Sequence, residues 1–188
     1  MKNTLTISAV MFIIGFVTVS AAWSDDGYYR RGMEEYPHRS AGVAAASTKI
    51  YMEECGSCHM AYSPRLLPSA SWMKIMSGLD NHFGDNAELD AETKKSITEL
   101  LLTYSADRSD YRSARRYNNS MQNTDAPVRI TQMPNFRRAH HEIPERMVTG
   151  NPEVKSFSRC NACHLRAEQG SFNEHDVRIP GYGRWEDD

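Results

Sequence analysis

Cys55-Gly56-Ser57-Cys58-His59 recurs in form at Cys160-Asn161-Ala162-Cys163-His164. Both stretches are C-x-x-C-H pentapeptides, the pattern of covalent c-type haem attachment, and together they use all 4 cysteines. Two thiols a helical turn apart can add to the two vinyl groups of one haem, while the adjoining imidazole turns inward to hold the iron. Cys55, Cys58, Cys160 and Cys163 are therefore the expected thioether attachment points, and His59 and His164 the expected proximal iron ligands. Two disulfides or a C-x-x-C zinc site would use the same thiols but leave both following histidines without a role. A thioredoxin-like redox motif needs a βαβ setting, whereas the flanks here read as helical.

At the start of the chain, Lys2 precedes an apolar run from about Leu5 to Val19 and the small residues Ser20, Ala21 and Ala22. This is the pattern of a secretory signal peptide, residues 1–22, cleaved near Ala22. The run is short for a membrane span; an uncleaved leader acting as an anchor is the alternative. The expectation is an exported, periplasmic protein with no span after cleavage, which agrees with thioether formation outside the cytoplasm. The remaining length suits one domain or two small ones. A formal net charge of −2 gives no sign of a nucleic-acid or lipid partner. The scarcity of β-branched runs argues against a sheet protein.

Residues 23–46 are polar and aromatic, without a helical period, and read as a loose segment. Ser47 is the expected cap of a helix running through Ile50 and Tyr51 into the first pentapeptide, broken by the Pro64 to Pro68 stretch. From Ser69 or Ser71, the apolar residues Trp72, Ile75, Met76, Leu79 and Phe83 follow the helical repeat and predict a second helix closed by Gly84, with His82 bordering the apolar stripe. Asp90 is the predicted cap of a third helix that carries Ile97, Leu100, Leu101 and Tyr104 on one face. The stretch leading to Asp90 lacks the glycine and terminal glutamate of a calcium loop.

Residues 105–126 are rich in Ser, Asn, Asp and Arg and read as a linker. Arg108, Arg112, Arg115 and Arg116 share a face if this stretch is helical, and a solvated face is the simpler reading. Beyond it, Asn135 is predicted to cap a short helix reaching His140 and His141. Asn151-Pro152 is predicted to open another that enters the second pentapeptide and ends at Gly170. The expected fold class is mostly α, with two small helical haem-binding units of c-type cytochrome character, 47–104 and 127–188, joined by the polar linker.

Each iron needs a distal ligand or an open place, and that choice separates a carrier from a catalyst. On a helical wheel His140 lies beside Phe136, Ala139 and Ile143, whereas His141 faces solvent. His82 and His140 are therefore the distal candidates. His82 follows His59 by nearly the separation at which His140 precedes His164, so each can serve its nearer haem; crossed ligation is the less economical pairing. His38 lies in the loose segment and His175 in a late loop, a spare candidate. Met73, Met76, Met121, Met133 and Met147 are possible thioether ligands, and core packing explains most of them.

Further residues carry a family likeness: Glu54 to Tyr62, Leu66-Leu67-Pro68, Ser71-Trp72, Gly78 to Ala87, Arg129-Ile130-Thr131, Phe136, His140, Glu142-Ile143-Pro144, Cys160 to His164, and on through Gly170 and Phe172 to Val177-Arg178-Ile179-Pro180. The chain resembles the small bacterial periplasmic dihaem cytochrome c family over most of its length after residue 48. That resemblance implies a periplasmic electron carrier with two covalently bound, low-spin, bis-histidine haems, and it supports His82 and His140. It also implies redox partners: a small oxygen-binding c-type cytochrome, or a membrane b-type cytochrome. Two saturated irons make the expected protein a low-potential carrier rather than an enzyme. The alternative is a haem enzyme with one open iron for peroxide, NO or O2 chemistry.

Overall fold

The computed structural model describes residues 41–108 and 126–185, and of 41–46 only the backbone. The signal peptide, His38, Arg112, Arg115, Arg116, Met121 and most of the 23–46 segment lie outside the described residues. No described helix is long and apolar enough to cross a membrane.

Helix α1 (Ala41–Cys55) begins well before Ser47. Ala44-Ala45-Ala46 loses no side-chain entropy on becoming helical, so the helix extends back through it. Ser47, expected as its cap, is instead a buried interior residue whose Oγ lies 2.9 Å from Ser96 Oγ. The helix stops at Cys55 because Gly56 turns the chain so tightly that a Cβ there would clash with the Met52 carbonyl oxygen.

Helix α2 (Ser69–Ser77) follows Pro68, with the Ser69 amide donating to Asp107 Oδ1 at 2.7 Å and the Ser69 hydroxyl to Asp107 Oδ2. It ends earlier than Gly84: the Gly78 amide closes on the Ile75 carbonyl, and a 3-10 turn, Leu79–Asn81, follows. Helix α3 (Ala91–Thr103) starts where the sequence predicts, since Asp90 Oδ1 accepts from the Glu92 and Thr93 amides, each at 3.0 Å. Its inner face, Ile97, Leu100 and Leu101, is buried against Tyr51, Leu67, Trp72, Met76 and Leu79. Each such aliphatic removed from water contributes about 1.5–3 kcal/mol.

Chain from beyond the linker completes this core: Met133 is 0 % exposed within it, and Ile130 and Phe136 pack on its edge. Helix α4 (Pro134–His140) is opened by Pro134, whose fixed φ suits a first helical position. Asn135, expected as the cap, sits inside the first turn and accepts from Arg138 Nη2 at 2.6 Å.

After α4 the described chain proceeds by turns and single 3-10 turns, and the helix predicted from Asn151 into the second pentapeptide does not form. Asn151 Oδ1 accepts the Glu153 amide at 3.0 Å, a local turn that competes with helix. Lys155, at φ 69, is left-handed and cannot continue a right-handed helix. Asn151 Nδ2 donates to the Pro180 carbonyl at 2.8 Å, tying two loops together. Gly170, at φ 76, does terminate an element, the 3-10 turn Ala167–Gln169. Strands β1 (Arg178–Ile179) and β2 (Gly183–Arg184) form a small antiparallel hairpin, Ile179 opposite Gly183. Val148, Val154, Ala167, Val177 and Ile179 are buried in this half. The fold class is mostly α, with irregular backbone around the second pentapeptide.

Candidate haem sites

No disulfide joins any of the four cysteines. Burial pushes Cys55 up to about 11, with Glu54 adding to the shift. Burial does the same for Cys160, also to about 11, and raises Cys163. Cys55, Cys160 and Cys163 thus lack the thiolate character of a redox-active pair. Among the described residues no three His, Cys, Asp or Glu side chains converge to hold a metal ion, so a zinc site of the C-x-x-C kind has no geometry here.

The histidines pair instead. His59 and His82 face each other with ring centres 6.1 Å apart and planes 24° apart. Two metal–imidazole bonds of about 2 Å, plus about 1 Å from each nitrogen to its ring centre, give about 6 Å. The separation therefore fits one metal ion between the rings. His59 Nδ1 lies 2.7 Å from the Met60 carbonyl, which only accepts, so Nδ1 carries the proton and Nε2 keeps its lone pair. Burial, and next His59, lower the pKa of His82 and favour the neutral imidazole that binds metals.

His82 reaches this position by a device other than the helix edge the sequence suggests. Its amide donates to Asp85 at 2.7 Å and its carbonyl accepts from Asp85 at 3.2 Å, while Phe83 (φ 58) and Gly84 (φ 110) turn left-handed between them. Two left-handed central residues make a type I′ hairpin turn. Below His59, Tyr62 lies against the imidazole at 5.0 Å and 26°, and its hydroxyl donates to the Ser158 carbonyl at 2.7 Å. Tyr51 in turn donates to the Tyr62 carbonyl at 2.6 Å. Tyr62 so joins the first site to the approach to the second pentapeptide.

At the second site His140 and His164 lie with ring centres 6.1 Å apart and planes 68° apart. Phe136 stacks on His140 at 4.0 Å, Phe157 meets it edge-on at 6.0 Å, and Phe172 meets His164 at 5.3 Å. His140 Nδ1 lies 2.8 Å from the Phe136 carbonyl, which again leaves Nε2 for a metal. His164 is held by its amide donating to the Cys160 carbonyl at 2.8 Å and by the Arg178 amide donating to the Cys163 carbonyl at 2.9 Å. Its Nδ1 is buried without a hydrogen-bond partner among the described residues. Burial, and then His140, bring the His164 pKa down to about 4, so the ring is neutral at pH 7.

The remaining candidates sit elsewhere. The His141 side chain is 67 % exposed, with Nε2 3.6 Å from Glu142. His175 is an exposed residue of the 3-10 turn Glu174–Asp176. Met76 and Met133 are core residues, and Met73 is exposed. Sequence reasoning gave Tyr62, Phe157 and Phe172 no role at either site; Tyr62 and Ser158 are too far apart in the chain for any local signal to link them.

Residues 51–172 match the family model for dihaem cytochrome c. The structure is similar to that of a diheme cytochrome type c from Shewanella baltica OS155, with 44% identity and a TM-score of 0.62, covering 74% of this chain and 98% of that one. It is also similar to the diheme cytochrome c from Rhodobacter sphaeroides, at 38% identity and TM-score 0.59, over 66% of this chain and 95% of that one. No curated protein matches the sequence significantly.

Proposed function

The chain belongs to the dihaem cytochrome c family, and from that premise we propose that it is a low-potential electron carrier of the periplasm whose haems are each held between two histidines. As a member of that family it is a c-type cytochrome with two covalently bound haem c groups, and the spacings of Cys55 with Cys58 and of Cys160 with Cys163 fit them. When bound, the haem iron supplies a one-electron ferric/ferrous couple.

In this reading the four cysteines tether the macrocycles, His59 with His82 hold the first iron, and His140 with His164 hold the second. The observation that carries it is the pair of 6.1 Å imidazole separations, each joining a pentapeptide histidine to a second histidine. Donors on both sides leave no place for substrate and keep the geometry alike in both oxidation states, which suits transfer of an electron without bond making. Imidazole on both sides favours a lower potential than a His/Met pair, because thioether ligation raises it.

The protein is organised, on this proposal, as units 47–104 and 127–188 joined by 105–126, with Ile130, Met133 and Phe136 of the second packed into the core of the first and Asp107 of the joining stretch bonded to Ser69, and it is exported by cleavage near Ala22. Its partners are redox proteins, a small oxygen-binding c-type cytochrome and a membrane b-type cytochrome, as the family likeness implies, and not nucleic acid.

Absorption and paramagnetic-resonance spectra of the purified holoprotein test the reading. Both haems are expected to be low spin, with two distinct signals for the near-parallel and the crossed imidazole planes, and the reduced protein is expected to take up no carbon monoxide. Prompt stoichiometric uptake at one haem would overturn the proposal in favour of an enzyme with an open iron. A mature amino terminus at Trp23 is expected by mass spectrometry; a retained leader would overturn the cleavage.

A further inference from the structure

Phe83 occupies an unusual place. A bulky side chain at φ 58 is rare, and this ring is 46 % exposed at the tip of the turn that presents His82. The Arg129 guanidinium covers it, with Cζ 4.2 Å from the ring centroid, and the Phe83 ring meets the His82 ring edge-on at 4.8 Å. A cation from the far side of the linker thus sits one aromatic ring away from the distal imidazole. Asp85, at the other end of the same turn, exchanges both backbone hydrogen bonds with His82.

We propose that Arg129 and Asp85 are opposed charges that set the electron affinity of the first haem, Arg129 raising its potential and Asp85 lowering it, with Phe83 as the seat that holds the guanidinium. The inference rests on the axial assignment of His82. Reduction adds one negative charge at the iron, so a nearby cation stabilises the ferrous form and a nearby anion the ferric form. Both residues lie at the turn that presents His82, so the charge pair acts on the first haem. Both side chains are exposed, and solvent screening keeps the effect small.

Potentiometric titration of the holoprotein, followed by the resolved low-spin signals, tests this. Arg129→Gln is expected to lower the ferrous-to-ferric ratio of one haem about threefold at fixed potential, or about 28 mV at 59 mV per tenfold. Asp85→Asn is expected to shift the same haem the opposite way, and Arg129→Lys to restore most of the wild-type value. Shifts of the same sign, shifts shared equally by both haems, or unmoved potentials would overturn the proposal. So would a high-spin haem in Arg129→Gln, which would make Arg129 a prop for the turn. A high-spin haem in the wild-type protein would instead sink the axial assignment itself, so the two failures are distinguishable.

Discussion

The two histidine pairs have the same ring separation and opposite surroundings. The first hangs from the end of a helix and the tip of a hairpin turn, with His59 exposed and charges beside His82; the second is boxed by Phe136, Phe157 and Phe172. The first also lies beside a core built without it, in which α1, α2 and α3 bury Tyr51, Trp72, Ile97 and Leu101 against one another. The described backbone around Cys160 has no comparable helix, and the buried apolar side chains of this half, Val148, Val154, Ala167, Val177 and Ile179, include no aromatic ring. One attachment motif can therefore decorate a fold that packs by itself or supply the apolar surface a polar segment lacks.

Removing the tethers should break that comparison most severely. Replacing Cys160 and Cys163 by serine is expected to cut the mass by one haem and to abolish hydrogen-exchange protection over residues 145–179. The same change at Cys55 and Cys58 should leave α2 and α3 protected. Equal loss from both pairs would mean that the two halves depend on haem alike.

Exchanging the distal donors probes access. His82→Ala and His140→Ala should each convert one haem to high spin, and carbon monoxide should bind the first about tenfold faster, a barrier difference of about 1.4 kcal/mol. The phenylalanines that pack around His140, Phe136 stacked on it and Phe157 edge-on, are the reason. An unchanged spectrum for either variant would remove that histidine from the assignment.

The smallest effect concerns acid stability of the first core. Burial tends to raise the Asp107 carboxyl, but hydrogen bonds from Ser105 and Ser69 outweigh it and hold the folded pKa below the ordinary value. The stabilisation is thus present above the unfolded pKa, near 3.9, and is lost as pH falls through the lower folded value. Asp107→Asn should lose that stabilisation above pH 4 and flatten the acid limb of the denaturation curve, with both haem potentials unmoved. An acid limb identical to wild type would show that the Ser69 contact adds nothing to stability.

Local chemistry was the legible part. Asp90 could be read as a cap because the cap and the amides it satisfies lie within one turn, and the buried stripe of α3 because its period is written in consecutive residues. The reading failed where a competing local bond or a distant partner decided the backbone. Asn151 takes up a turn bond and a link to Pro180, and no helix follows. Gly78 closes α2 early, and Phe83 with Gly84 re-aims His82 through a turn.

By itself the sequence determined the two thiol pairs whose spacing fits haem attachment and the histidines that adjoin them, since thiol spacing is a covalent property of neighbouring residues. It also determined Asp90 as the cap of α3, a contact within one turn. Only the tertiary structure decided which histidine meets which, that Tyr62 reaches Ser158, and that Arg129 comes to lie over Phe83. Those contacts join residues far apart in the chain, and their geometry follows from how the core packs rather than from any pattern of neighbours.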